Sequence, residues 1–378
     1  MKRVLLGTTA LAAVGFFAGE AQAKFDVTVN GSWQAAYGYV SEDHHRFVPT
    51  PPNGGGTTQR QNMALDQDYE VHFRAQQTLD NGLIVGGRVE LEGATNNGAD
   101  TVYSGSAGND QIDERWIYFR GGFGELRVGD EDDARKLKSY TAPDPTGFIF
   151  GVNSPTFTFN NLQPGEVTSS NTTIPNLEND SAKIIYFTPS FAGFQLAVSY
   201  APDGTQDRSS FGTGGTNEAG QVSNAWSAGA DYTGEFAGFT IGAGGGYSKG
   251  YSETSGGHDP SIWAVGLNVG FAGFTVGGSV AFTDSTVADG GNRTVFDVGA
   301  TYNIDAVTVG LGWSRGKYHN AANGGTDDFD QIQLGLGYAL GPGVTLAAMV
   351  GYFDYQGDAA ATDDNSGYQV AVGTGFNF

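Results

Sequence analysis

The chain has 378 residues, with 60 glycines, no cysteine and a formal net charge of −22. That charge argues against nucleic acid or an anionic membrane surface as a partner, and the lack of cysteine excludes a disulfide framework and a thiolate metal site. So much glycine suits a disordered chain, but 39% hydrophobic and 12% aromatic residues do not, and the length fits two ordinary domains or one large all-β domain.

The first 23 residues, MKRVLLGTTALAAVGFFAGEAQA, join Lys2 and Arg3 to an apolar stretch near 4–17 and an Ala-Gln-Ala ending. This is the pattern of a secretory signal peptide, cleaved after Ala23. A membrane anchor fits less well, because the apolar run is short. Cleavage removes Lys2, Arg3 and Glu20 and takes the net charge to −23. No later segment has the length of a transmembrane helix, a test that is blind to membrane β-barrels.

Strict alternation then begins. In FDVTVNGSWQAAYGY, Val27, Val29, Trp33, Ala35, Tyr37 and Tyr39 share one face, and polar residues with glycine fill the other. A period of two means a strand. DYEVHFRAQQTL (68–79) and LIVGGRVELE (83–92) repeat the pattern around an Asp-Asn-Gly turn suited to a tight hairpin. Further strands are expected near 112–120, 124–131, 182–188, 193–201, 223–235, 238–248, 261–271, 273–283, 293–302, 306–315, 329–339, 343–355 and 367–378. The total is about sixteen.

The connections alternate in length. Short turns fall at 80–82, 121–124, 189–192, 235–238, 272–273, 303–305 and 340–343. Long polar loops fall at 40–66, 93–111, 132–181, 202–222, 249–260, 284–292, 316–328 and 356–366. All long loops therefore lie at one end and both termini at the other, the layout of an outer-membrane barrel. A β-sandwich lacks this one-sidedness, and no short solenoid period is present. Aromatics such as Phe194, Tyr200, Phe271, Phe274, Tyr302 and Trp313 sit at strand ends on the apolar face, as interfacial girdles do. The tetrapeptide FAGF recurs at 191–194, 236–239 and 271–274, each time at a short turn. About sixteen strands leave an aqueous channel inside.

The stretches YFTPSFAGFQLAVSYAPDG, LDNGLIVGGRVELEG and DERWIYFRGGFGELRVGDEDDAR resemble the general porins of Gram-negative outer membranes, particularly those of alphaproteobacterial type. The ending GYQVAVGTGFNF is similar to the C-terminal assembly signature of outer-membrane proteins, with Phe378, Phe376 and Tyr368 on one face. The resemblance implies a homotrimer of sixteen-stranded barrels in the outer membrane, inserted by the barrel-assembly machinery among lipids and lipopolysaccharide. It would pass small hydrophilic solutes, with the third external loop (132–181) folded inward to narrow the pore. The short acidic Pro-Glu-Phe type motif of many relatives is not found in that loop.

With a three-residue turn at 80–82, opposed residues of the 67–92 hairpin place Arg74 against Arg88, His72 against Glu90 and Glu70 against Glu92, all on the polar face. Like charges in register cost stability, which a wet lumen tolerates. The resemblance gives the arginines a role, since porin eyelets set an arginine wall against acids on the third loop, and such a transverse field discriminates ions. Arg127 faces the lumen if Leu126 and Val128 face outward; the face of Arg115 depends on a bulge. Candidate acids on the loop are Asp144, Glu166 and Glu178, each with an ordinary solvated position as the alternative. Weak cation selectivity is the expectation from the net charge.

No cofactor is required. Carboxylates in GDEDDAR, GGTDDFD and ATDDNSG offer oxygen ligands for Ca²⁺, with Asp130, Asp132 and Asp133 the candidates, but none matches EF-hand spacing and solvated acidic loops explain them better. At an outer surface divalent cations would bridge such acids to lipopolysaccharide phosphates. His44-His45 reads as a polar loop pair, and GGFGEL lacks the βαβ unit of a dinucleotide site. The alternatives to a diffusion channel are a saccharide-selective channel, a barrel enzyme and a surface adhesin. Few inward aromatics argue against the first, and no convincing Ser/His/acid set supports the second.

Overall fold

The computed structural model describes residues 25–42, 47–49, 57–59, 62–93, 112–147, 149–153, 155, 157, 172–178, 180–205, 220–284, 291–319, 324–357 and 364–378. The 1–23 segment, Glu166 and the His44-His45 pair lie outside these residues.

Sixteen antiparallel strands close into a barrel. In chain order they are β1 (Asp26–Glu42), then, after a small separate hairpin of β2 (Phe47–Pro49) and β3 (Thr57–Gln59), β4 (Met63–Thr78), β5 (Ile84–Glu92), β6 (Ile112–Gly121), β7 (Gly124–Asp130), β8 (Ala182–Phe187) and β9 (Phe194–Asp203). They continue as β10 (Val222–Phe236), β11 (Phe239–Ser252), β12 (Ser261–Phe271), β13 (Phe274–Asp284), β14 (Asn292–Ile304), β15 (Val307–His319), β16 (Thr326–Gly341), β17 (Val344–Gln356) and β18 (Asn365–Asn377). Each barrel strand pairs with its sequence neighbours, and β1 closes the ring against β18. A single 3-10 turn at Lys136–Lys138 is the only helix among the described residues.

The wall is turned inside out relative to a water-soluble protein. On β16, Ile332, Leu334 and Leu336 are 43%, 52% and 41% exposed, whereas the intervening Gln331 and Gln333 are buried. Period-two alternation delivers every second side chain to each face, so apolar residues look outward and polar ones inward, as lipid outside and water inside require. Girdle contacts follow at the strand ends: Phe239 stacks on Phe271 at 4.6 Å and Phe274 on Tyr302 at 4.1 Å, while Phe296 meets Trp313 edge-on at 4.9 Å.

The three FAGF turns are two-residue hairpins in which Ala192, Ala237 and Ala272 (φ 49°, 51° and 50°) precede Gly193, Gly238 and Gly273 (φ 87°, 83° and 86°). Positive φ at both central residues is the type I′ geometry whose twist matches that of the strands. Alanine at the first position is strained there. The flanking phenylalanines pair across each turn, with Phe191 and Phe194 exchanging backbone hydrogen bonds of 2.8 and 2.9 Å. At the same end the C-terminal residue seals the seam: Phe378 exchanges backbone bonds of 3.0 and 3.1 Å with Gly31 and packs edge-on against Trp33 at 5.2 Å.

The long segment between β7 and β8 lies inside the barrel. Its backbone and side chains bond inward residues of one strand after another: Ala134 N donates to Ser199 Oγ (3.1 Å), Arg135 N to Ser227 Oγ (2.7 Å), and Ala142 N to Asp297 Oδ1 (3.0 Å). Farther along, Ile149, Phe150 and Phe157 pack on Ala36, Ala347, Met349 and Ala371 in the main apolar cluster. What lets the loop lie so close is glycine. A Cβ added at Gly244, Gly266 or Gly337 would stand 2.0–2.1 Å from the carbonyl oxygens of Lys138, Tyr140 and Pro145. The glycine-rich inward faces of β10 to β18 form a track for the loop.

Candidate functional site: the lumen wall facing the loop

The track leaves one arc of the lumen uncovered, the inner faces of β4 to β7. Registers there match expectation, with Arg74 opposite Arg88, His72 opposite Glu90 and Glu70 opposite Glu92. Trp116 and Tyr118 continue the same inward face on β6 and are buried, while Ile117 between them is exposed outward. Arg120 and Arg127 complete a cluster of four guanidinium groups with Arg74 and Arg88.

The aromatic rings are the floor on which the arginines lie. The Arg127 guanidinium sits 4.3 Å above the Trp116 ring and 4.7 Å from that of Phe187, and Arg120 lies 4.9 Å over Tyr118. Arg74 donates to the Tyr118 hydroxyl at 3.1 Å and to Gln76 at 3.0 Å, and Tyr118 in turn donates to Gln76 at 2.7 Å. Such stacking and forked hydrogen bonding fix a guanidinium where lysine would wave.

Carboxylates interleave with them. Glu125 accepts from both Arg120 and Arg127 at 2.5 Å, and Arg127 also reaches Glu131 at 2.6 Å. Arg88 is paired with Glu90 and lies 3.7 Å from Glu114, and His72 bridges Glu70 (3.2 Å) and Glu90 (3.0 Å). The wall is thus a mesh of alternating charge. Arg74 differs: among the described residues its partners are neutral.

Arg74, Arg88, Arg127, His72 and Glu90 therefore share the lumen wall. Four other expectations are corrected. Arg115 points outward, because β6 alternates without a break from Gly121 to Arg115, which pairs with Val89 and Asp130, and the bulge falls beyond it toward Ile112; it binds Asp130 at 2.6 Å on the outer wall. Asp144 turns back into its own loop, accepting from Thr146 N and Oγ1 at 2.9 Å. Glu178 is 1% exposed beneath the loop and lines no pore; burial, reinforced by Asp133, pushes its carboxyl up to about 7 against the pull of Lys183 and Arg135. The loop acid that does meet the arginines is Glu131, at the loop's first step. Finally, Asp130, Asp132 and Asp133 diverge and form no common Ca²⁺ site. Asp130 takes Arg115; Asp132 takes Lys136 (2.6 Å); Asp133 takes Ser248 (2.7 Å) and the backbone of Lys136 (2.6 Å).

Ligand-type atoms do gather elsewhere: Glu70, His72 and Glu90 form one group, and Glu114, Asp132 and Asp180 another, each within 4.8 Å. Both already hold protein cations, Arg88 in the first and Lys136 in the second. Burial and the neighbouring Asp132 push the Asp180 carboxyl up to about 7.

Arg120, Glu125, Trp116 and Tyr118 were missed from sequence. Alternation counted upward from the Gly121–Gly124 turn would have placed Trp116, Tyr118 and Arg120 on one face, and so found them.

Solved structures share this architecture. The anion-selective porin of Comamonas acidovorans superposes with a TM-score of 0.58 at 18% identity, over 94% of this chain and all of that one. A double mutant of the Rh. blastica porin gives 0.55 at 17%, over 93% of this chain and all of that one. OmpT, an outer membrane protein of Vibrio cholerae, in its trimer form gives 0.58 at 12%, over 94% of this chain and 99% of that one. Among curated protein sequences no match is found. At these identities the structures speak for the fold; the sequence pattern of the Gram-negative porin family speaks for descent, matching residues 7–358. A chain whose pattern and closed sixteen-stranded wall agree over nearly its whole length belongs to the Gram-negative porin family.

Proposed function

We propose that the protein is a passive, water-filled diffusion channel for small hydrophilic solutes and ions across the outer membrane, weakly cation-selective and assembled as a homotrimer. The observation that carries the reading is the pairing of a floor-mounted arginine wall on β4 to β7 with a loop seated on the opposite inner wall, and we assign the solute path to the space between them. Charges of both signs on one side of a confined aqueous path set a transverse field that orients dipolar solutes. Carboxylates are at least as numerous as arginines on this wall, and the chain carries −22 overall, so cations are the favoured ions.

Subunit contact is assigned to the low side of the barrel. β7 and β8 have 7 and 6 residues against 15 in β10 and 16 in β16. Seven tilted residues climb about 18 Å, short of the ~25 Å apolar band. The same side carries the outward Arg115–Asp130 pair in a groove lined by Val27, Phe73, Val89, Ile117 and Val128. Arginine against bare lipid at mid-depth costs about 2–4 kcal/mol, a cost that a neighbouring subunit removes.

Purified protein in planar bilayers tests the reading. Stepwise ohmic currents in groups of three, with a reversal potential of cationic sign under a KCl gradient, are expected. Silent bilayers overturn the channel, and a clear anionic sign overturns the selectivity.

A further inference from the structure

Asp297, on the inner face of β14, is buried and holds its carboxylate without any lysine, arginine or histidine in ion-pair distance among the described residues. What surrounds it is donors. Oδ1 accepts from Ala142 N (3.0 Å), Ser279 N (2.7 Å) and Ser279 Oγ (2.9 Å). Oδ2 accepts from Ser279 Oγ (2.9 Å), Thr173 Oγ1 (3.2 Å) and the amide of Asn153. Ser279 belongs to the adjacent strand β13. Ala142 and Asn153 belong to the outgoing arm of the inward loop, and Thr173 to its returning arm. The two arms also bind each other here, with Asn153 Nδ2 donating to Thr173 Oγ1 at 2.6 Å.

We propose that Asp297 is the latch of the inward loop, a positioning residue that ties both arms to the barrel wall at one carboxylate and so sets the width of the passage; this rests on the channel reading. The chemistry selects a carboxylate. Only an acceptor-only group with about four lone-pair sites takes donors from three directions on both oxygens. Charged hydrogen bonds also replace the missing counter-ion. Asparagine in the same volume would turn an NH₂ against the Asn153 amide and Thr173, or against the Ala142 and Ser279 donors, and would free one arm.

The cysteine-free chain gives a direct test. A Cβ added at Gly299 stands 3.3 Å from the Ala142 Cβ, so Ala142→Cys with Gly299→Cys places two sulfurs within reach of a bond and leaves every donor to Asp297 in place. Asp297→Asn is expected to raise open-channel current fluctuation and to slow oxidative cross-linking of that pair on the order of tenfold, the factor given by losing one charged hydrogen bond. Once formed, the disulfide should return the fluctuation to the native level, and reduction should release it. Native fluctuation together with unchanged cross-linking in Asp297→Asn overturns the latch. If no variant conducts, wild type included, yet cross-linking still slows, the latch stands and the channel reading falls. If Asp297→Asn gives no heat-modifiable barrel, Asn153→Ala removes one donor, leaves the carboxylate, and carries the same two readouts.

Discussion

The two sides of this barrel are built on opposite plans. From β4 to β8 every strand after β4 is short, the inner face bears long charged side chains on an aromatic floor, and an ion pair faces outward. From β9 to β18 the strands are mostly long, the outer face is apolar, and the inner face has glycine where the loop's backbone lies against it. A lumen of fixed girth is filled from one side by side chains and from the other by a folded segment. The charge pattern belongs to the first side, and the width of the passage to how firmly the second holds its guest.

The sharpest way to break this comparison is to build side chains on the track. Gly337→Val places atoms where the Pro145 carbonyl lies. Overpacking of this kind costs about 1–3 kcal/mol, and expulsion of the loop relieves it. Liposome swelling should then admit larger sugars than wild type does. Unchanged exclusion would mean that the loop does not rest on the track.

The next largest effect concerns the root of the loop. Glu178 and Asp180 take up protons more readily in the fold than in the unfolded chain. Their carboxyls therefore favour the fold most at low pH, and stability falls as pH rises from about 4 to about 7 and then levels. Glu178→Gln should remove its share, raising the heat-modification midpoint at pH 8 by the equivalent of on the order of 1–3 kcal/mol and leaving pH 4 nearly unchanged. An equal shift at both pH values would contradict this.

On the opposite side, Arg127→Ala removes the guanidinium that joins Glu125 to Glu131. The cation-to-anion permeability ratio from reversal potentials should rise roughly twofold to fivefold, as for loss of one charge from a field of order kT. The same ratio in the variant would place the narrowest point elsewhere. Smallest of all, Ala192→Gly, Ala237→Gly and Ala272→Gly relieve left-handed alanine and should each add a few tenths of a kcal/mol, after the glycine entropy cost is subtracted. Heat-modification midpoints would register the triple variant, and a lowered midpoint would contradict the turn geometry.

How the site could be read in advance differed between the sides for the same reason. The hairpin holding Arg74, His72, Arg88 and Glu90 has its register fixed by an Asp-Asn-Gly turn, so opposed residues follow by counting. The loop has no period to count. Asp144, Glu166 and Glu178 are acids of the right segment, and a segment does not say which way a side chain turns. Asp144 folds back on Thr146, Glu178 is buried, and Glu131 engages the arginine. Asp297 was invisible because a single acid on an alternating strand looks like any wet lumen residue.

The sequence by itself determined the strand count, the ends at which turns and loops fall, the outward apolar face and the hairpin registers. These rest on period two and on local turn chemistry, which act over a few residues. Only the tertiary structure decided that the inward glycines of β10 to β18 are a bed for the loop, that Arg115 faces out, and that one carboxylate gathers donors from both loop arms. Those facts depend on closing the ring and folding the loop into it, which bring residues more than a hundred positions apart within hydrogen-bonding distance.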